Sequence, residues 1–205
     1  MSPPPPRRMN DQTALRQELK KSRLALSTRM REQAATAAID IILRHPRFQR
    51  ARSISGYIGS KGELDPAPLL ELAAAMGKRC YLPVLHPFRH GRLWFCRWHP
   101  GDHMTPNRFG IPEPDVRTGG LIAARDLDLV IVPLLGFDKA CNRLGMGGGY
   151  YDRSFAFARR LRHISAPFML GLAHEVQRVE RLQTQPWDIP LDAVATQRQL
   201  YRRPR

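Results

Sequence analysis

One run of residues concentrates groups that could do chemistry: Gly136-Phe137-Asp138-Lys139-Ala140-Cys141-Asn142-Arg143-Leu144-Gly145-Met146-Gly147-Gly148-Gly149-Tyr150-Tyr151-Asp152-Arg153. Glycines carry no Cβ, so their backbone amides can approach a phosphate closely. A helix opening after them adds free amides and the positive end of its dipole. Arg143 supplies a planar guanidinium at the mouth of the loop, suited to two-point phosphate contact. Asp152 offers a carboxylate that could hold Mg²⁺ bridging phosphate oxygens. An arginine, three consecutive glycines, two tyrosines and an acid are more than a tight strand–helix turn requires. Known nucleotide loops do not fit. A Walker loop ends in Gly-Lys-Ser/Thr, whereas Gly149 is followed by Tyr150. The dinucleotide fingerprint counted from Gly145 needs Gly or Ala where Tyr150 stands.

Elements on either side must position this run. Leu127 to Leu135 is a continuous apolar stretch, the pattern of a strand buried on both faces. The glycines therefore lie beyond a strand's carboxyl end, where open α/β sheets bind ligands. Tyr150 to Arg162 reads as the following helix. Between Asp11 and Leu43, the residues Ala14, Leu15, Leu19, Leu24, Leu26, Ala34, Ala38, Ile41 and Ile42 recur at three- and four-residue spacing. That predicts two helices broken near Ser27–Thr28, with Ser27 as N-cap of the second. Strands are expected at Ser53–Gly59, Arg79–Leu85, Arg92–Trp98, Phe168–Ala173 and Leu191–Ala195. A helix is expected over Ala67–Met76, opened by Asp65 and Pro66 and closed by Gly77. Pro100 to Thr118 reads as a long irregular segment, and loops of that length are often functional. Residues 1–10, rich in proline and arginine, are expected to be disordered, and residues 11–205 to form a single domain. Helices alternating with strands imply an α/β fold. The expectation is a three-layer α/β/α domain around a mostly parallel (mixed), Rossmann-like sheet, with an N-terminal helical segment.

Composition narrows the class. The chain has 205 residues and is 42% hydrophobic, enough for a core without staples. Thirty-three Lys and Arg against 18 Asp and Glu give a net charge of +15, which predicts anionic partners. The excess is +7 in residues 1–50, +4 in 51–100, −1 in 101–150 and +5 in 151–205. Spread in this way, it reads as an arginine-rich solvated surface that draws in polyanionic small molecules. A nucleic-acid module gathers its charge on one face. No apolar stretch approaches membrane-spanning length, and the prolines and arginines of residues 1–8 precede no apolar segment of a secretory signal. Cys80, Cys96 and Cys141 are too few and too scattered for a disulfide framework or a zinc site. A cytoplasmic location with reduced thiols follows as the expectation.

The central run, GFDKACNRLGMGGGYYDR, resembles the signature of the 5-formyltetrahydrofolate cyclo-ligase family, also called methenyltetrahydrofolate synthetases. LRQELKKSRLALS, YIGSKGELDPAPLL, GIPEP and WDIPLDAVAT fall in the order that family shows, so the resemblance spans residues 12–196. It implies an enzyme of one-carbon folate metabolism, an ATP-dependent C–N bond-forming ligase. The implied substrates are 5-formyltetrahydrofolate and ATP, with Mg²⁺. The implied products are 5,10-methenyltetrahydrofolate, ADP and phosphate. A formyl oxygen is a poor leaving group. Phosphorylating it gives an N5-iminium phosphate that the substrate's own N10 attacks. The protein must therefore align formyl oxygen with γ-phosphate and neutralise developing charge, with no nucleophile of its own.

The resemblance also implies roles by position. Arg143, Leu144, Gly145, Met146, Gly147, Gly148, Gly149, Tyr150 and Tyr151 match the ATP phosphate site, with Gly147 to Tyr150 also near the formyl group. Arg16 matches an N-terminal phosphate-binding arginine. Glu63, after Ile58, matches the folate-binding glutamate, and Phe109 an aromatic that could stack on the pterin. Asp152 and Asp188 match Mg²⁺ ligands. Arg143, Glu63 and Tyr150 are the implied catalytic residues. One departure matters: the family has a lysine four residues before the arginine, and this chain has Gln12. A neutral amide cannot replace an ammonium on a triphosphate, so Lys20, Lys21 or another arginine must compensate, or ATP affinity must fall, or the segment must shift in register. Competing readings are a folate- or nucleotide-binding relative without turnover, motivated by Gln12, and a basic nucleic-acid-binding protein. The leading expectation is a monomer acting on small molecules, with neither nucleic acid nor membrane as partner.

Other signals weigh less. His86/His90 and His99/His103 have helical i, i+4 spacing, but Pro87 and Pro100 interrupt them, against a metal site. Trp94, Phe95 and Trp98 read as packing on a strand, and Trp187 as an anchor for the C-terminal loop. Cys141 reads as a small residue of the loop rather than a reactive thiol.

Overall fold

The computed structural model describes residues 9–60, 62–117, 120–159 and 166–204. Its helices are α1 (Met9–Leu24), α2 (Thr28–Leu43), α3 (Pro46–Arg50), α4 (Ala67–Ala75) and α5 (Tyr150–Ser154). Its strands are β1 (Ser53–Ser55), β2 (Arg79–Leu85), β3 (Leu93–Trp98), β4 (Met104–Pro106), β5 (Pro112–Pro114), β6 (Leu121–Ile122), β7 (Leu129–Val132), β8 (Gly136–Phe137), β9 (Arg143–Leu144), β10 (Phe168–Leu172), β11 (Ala193–Ala195) and β12 (Leu200–Arg202).

Eight strands form one sheet in the order β12-β11-β10-β7-β1-β2-β3-β6. The central five, from β11 to β2, run parallel, and β12, β3 and β6 add antiparallel edges. This is the mostly parallel, mixed α/β sheet expected. Strand β1 sits between β2 and β7, with Ile54 opposite Cys80 on one side and Leu129 on the other. The chain runs outward from β1 to β2, β3 and β6. It then returns past β1 to β7, β10, β11 and β12. The order reverses between β1 and β7, and the carboxyl ends of strands at such a reversal leave a crevice for ligands.

Two cores flank the sheet. On one face Ala38 and Ile42 of α2, Phe48 of α3 and Leu69, Leu70 and Ala73 of α4 pack against Ile54, Leu82, Leu129, Ile131 and Leu170. On the other, Val130, Val132, Phe95 and Val194 meet Phe155, Leu127, Ile189 and Leu191. That second layer is thin: α5, short 3₁₀ turns and irregular chain. Ser27 caps α2 as expected, its Oγ accepting from the Met30 amide at 3.2 Å.

Several boundaries differ from the sequence reading. The strand expected over Ser53–Gly59 stops at Ser55; Gly56 still donates its amide to the Tyr81 carbonyl of β2, and the Glu63 loop follows. The run at Leu127–Leu135 forms a strand only over Leu129–Val132, and that at Leu191–Ala195 only over its last three residues. The helix expected to Arg162 ends at Ser154, whose Oγ donates to the Tyr150 carbonyl and accepts from the Leu93 amide. A 3₁₀ turn, Ala156–Arg159, continues it, and residues 160–162 lie outside the described ones. The segment 100–118 holds a two-stranded ladder, β4 with β5, although both strands contain proline at edge positions; Thr118 lies outside the described residues. The expected disorder of residues 1–10 falls mostly outside the described residues too, with α1 starting at Met9.

Candidate active site

Loops at the carboxyl ends of β1, β7 and β10 converge at the reversal point. After β7, strands β8 and β9 form a hairpin that presents the glycine run. Asp138 knots its turn: the carboxylate accepts from the amides of Ala140, Asn142 and Leu182, and from the Asn142 side chain, at 2.9–3.0 Å. Cys141 takes φ +61° in this knot and is fully buried, which pushes its thiol up to about 11 and makes it inert. Beyond β9, an added Cβ at Gly145 or Gly147 would meet nothing within 4 Å, so the space at these two positions is open. Gly149 caps α5 at φ +64°, and a Cβ there would lie 2.6 Å from the Arg153 guanidinium.

Arg143 turns inward instead of standing at the mouth of the loop. Its side chain is 6% exposed, bonds Asp152 Oδ1 at 2.5 Å and lies over the Tyr151 ring. The same Oδ1 accepts from the Ile189 amide at 3.0 Å, which brings the neighbouring Asp188 to this side. Asp188 itself accepts from the Gln185 amide. Trp187 is 59% exposed and anchors nothing by burial.

Helix α1 reaches the loop through Leu19, which packs on Leu144 and Leu182. That contact sets Arg16 Nε 3.0 Å from the Gly145 carbonyl, and a second Arg16 nitrogen 3.3 Å from Gln12 Oε1. Gln12, Arg16 and Lys20 stand at i, i+4 spacing, on one helix face. Of the two predicted N-terminal residues, Arg16 therefore meets the glycine run and Gln12 meets Arg16, with Lys20 as the next cation along the helix.

Glu63 follows β1. Its Oε1 accepts from Arg23 at 3.2 Å, and its Oε2 from the Ser60 amide and hydroxyl at 3.1 and 3.4 Å. Arg23 is 1% exposed and its Nε has no partner among the described residues. Tyr151 is partly buried beside both sites, with its hydroxyl out of reach of solvent. Burial raises its phenol, the Arg143 charge opposes this, and the Glu63 charge adds to it. Its hydroxyl also lacks a partner among the described residues. Ile58 is half-buried against the α2–α4 core.

Tyr150 faces outward. Arg108 donates to its hydroxyl at 3.0 Å, Arg153 lies over its ring, and Phe109 meets it edge-on at 6.0 Å. Asn107 accepts from the amides of Phe109 and Ile111, folding a tight turn that leaves Phe109 56% exposed. A cavity of about 230 Å³, lined by His86, His90, Arg92, Arg108 and Tyr150 among others, opens beside it.

The family model for 5-formyltetrahydrofolate cyclo-ligases matches residues 8–197. The chain belongs to the 5-formyltetrahydrofolate cyclo-ligase family. It is 38% identical to the cyclo-ligase of Escherichia coli strain K12 over 178 residues, covering 87% of this chain and 96% of that one. It is 37% identical to the Haemophilus influenzae cyclo-ligase over 177 residues, covering 86% and 92%. Its fold matches the solved 5,10-methenyltetrahydrofolate synthetase of Aquifex aeolicus with a TM-score of 0.78 and 29% identity, covering 93% and 92%.

For a cyclo-ligase chain, the sequence reading missed Arg23, Arg108 and Arg153. Arg23 had a signal: it continues the buried Leu15–Leu19 stripe of α1, where a charge needs a partner. Arg108 had none, because Tyr150 lies 42 positions away, whereas Arg153 stands in the glycine run itself, three residues after the Tyr150 ring it covers. Mg²⁺ keeps water and substrate oxygens and takes only one or two carboxylates from protein. Among the described residues no three His, Cys, Asp or Glu side chains converge. Asp152, whose Oδ2 stays outside the Arg143 bond, and Asp188 nearby fit such a sparse donor set.

Proposed function

We propose that the protein cyclises 5-formyltetrahydrofolate to 5,10-methenyltetrahydrofolate, consuming ATP and releasing ADP and phosphate. The observation that carries this reading is the meeting, at the reversal of the sheet order, of an open glycine run with a carboxylate loop. Two such loops suit a reaction that must juxtapose two substrates. The amides of Gly145 to Gly149 and the first amides after them hold the triphosphate, with Arg16 and Lys20 on one flank. Arg143 exchanges part of its hold on Asp152 for phosphate oxygens as charge develops there. Asp152 and Asp188 would hold Mg²⁺, which would neutralise phosphate charge there. Glu63, held in place by Arg23, accepts hydrogen bonds from donors near N10 or the pterin. Leu144, Met146 and Ile58 shape the walls, and Tyr150, Tyr151 and Phe109 enclose the folate. Aligned in this way, the formyl oxygen attacks the γ-phosphorus and displaces ADP. N10 then closes the ring and phosphate leaves, so no covalent bond to the protein is needed.

We further read residues 11–205 as one domain, acting as a cytoplasmic monomer on small molecules and not on nucleic acid. Supporting observations are the single eight-stranded sheet, three buried free cysteines, and the absence among the described residues of any helix long and apolar enough to cross a membrane. The test is direct: add 5-formyltetrahydrofolate, ATP and Mg²⁺ and follow methenyl absorbance in the near ultraviolet. A rise that requires both substrates is expected. A folded protein that binds them without any rise would overturn the reading.

A further inference from the structure

Two buried polar side chains, His174 and Gln177, connect the loop of Glu63 to the glycine loop. They are 0% and 1% exposed; His174 caps and Gln177 ends the 3₁₀ turn Glu175–Gln177, which follows the carboxyl end of β10. His174 Nε2 lies 3.2 Å from the carbonyl oxygen of Gly62, the residue before Glu63. A carbonyl only accepts, so Nε2 carries the proton and donates. Gln177 faces the other way. Its Oε1 accepts from the His174 amide at 2.8 Å, and its Nε2 donates to the carbonyls of Leu134 and Leu135 at 2.7 and 3.0 Å. Those two residues are where β7 gives way to the hairpin. The Leu135 amide in turn donates to the carbonyl of Leu144, which adjoins Gly145. A continuous set of buried hydrogen bonds therefore runs from Gly62 to the edge of the glycine run. Burying an imidazole and an amide is costly where apolar side chains would fill the same space. What these two groups add is direction, since each meets a particular main-chain carbonyl.

We propose that His174 and Gln177 are positioning residues that fix the Glu63 loop against the glycine loop, and so align folate with nucleotide. This rests on the cyclo-ligase reading above. Two substrates held on separate loops react only if both loops keep their spacing, and a misplacement near 1 Å can cost about a hundredfold in rate. Such residues act on kcat more than on the binding of either substrate alone.

His174→Gln and His174→Asn separate this role from simple packing. Glutamine carries its amide about where Nε2 stands and can still donate to Gly62; asparagine is too short. His174→Asn is expected to lower kcat about ten- to a hundredfold. KM for each substrate should stay within about twofold. His174→Gln is expected to recover most of kcat, although both variants melt alike. Gln177→Met removes the other arm and is expected to show the same split; it carries the test if His174→Asn does not fold. Wild-type kcat in His174→Asn or Gln177→Met would overturn the positioning role. So would a loss carried wholly by KM, or a His174→Gln variant as slow as the asparagine one. No turnover in the wild-type protein would instead overturn the cyclo-ligase reading itself.

Discussion

Arg143 and Asp152 show how a residue's partner changes its meaning. By type and position each suits a phosphate or a metal. In the fold each is the other's counter-ion, at 2.5 Å and largely buried. Arg143→Ala should lower kcat/KM about a hundredfold, as loss of a preorganised charge contact does, while removing the partner of Asp152 as well. Asp152→Asn still accepts from the Ile189 amide but no longer attracts a cation. It should raise the Mg²⁺ concentration needed for half-maximal rate, read in a metal titration at saturating ATP. Normal turnover and metal dependence in both variants would remove the phosphate site from this corner. Glu63 tells a similar story: its carboxylate is committed to Arg23 and Ser60 before any substrate arrives, so its orientation is built in.

At the scale of elements, short segments do the placing. Helix α5 has only five residues, and its start matters more than its length. Gly149→Ala would force a Cβ into left-handed backbone and against Arg153, at a cost of about 1–2 kcal/mol. The displaced Arg153 should loosen Tyr150, so kcat/KM should fall further than stability alone explains; melting curves with steady-state kinetics check both. Ser27→Ala is the contrasting case. It removes the α2 cap far from the loops and should cost about 1 kcal/mol in denaturant melts with kinetics unchanged. Helix α1 earns its place through Leu19 on Leu144, a contact between segments 125 positions apart that carries Arg16 to Gly145.

Across the whole molecule, the +15 charge acts at long range. Both proposed substrates are anionic, and a positive surface raises their encounter rate. Raising ionic strength from about 0.01 to 0.15 M shortens the screening length from about 30 to 8 Å. kcat/KM should therefore fall with salt while kcat, set inside the loops, holds. A salt-independent kcat/KM would reduce the charge to solvation. The glycine run belongs to the only quarter of the chain without a positive excess, so placed groups, not bulk charge, govern the chemistry there.

The sequence alone determined the helices about Ser27, the buried strand at Val130, the α/β class and the glycine run with its arginine and acid. Those features rest on local periodicity, capping chemistry and the backbone freedom of glycine, which a linear reading contains. It also brought Gln12, Arg16 and Glu63 to notice through motif order. Only the tertiary structure decided that β1 and β7 lie side by side with their exits facing one crevice. It alone paired Arg143 inward with Asp152, set Arg23 behind Glu63 and tied Gly62 to Leu134 through His174 and Gln177. Hydrogen bonds and ion pairs reach only a few ångströms, and the partners here are about 10 to 130 positions apart along the chain. Which side chains become neighbours is fixed by sheet order and packing, and no local pattern encodes that.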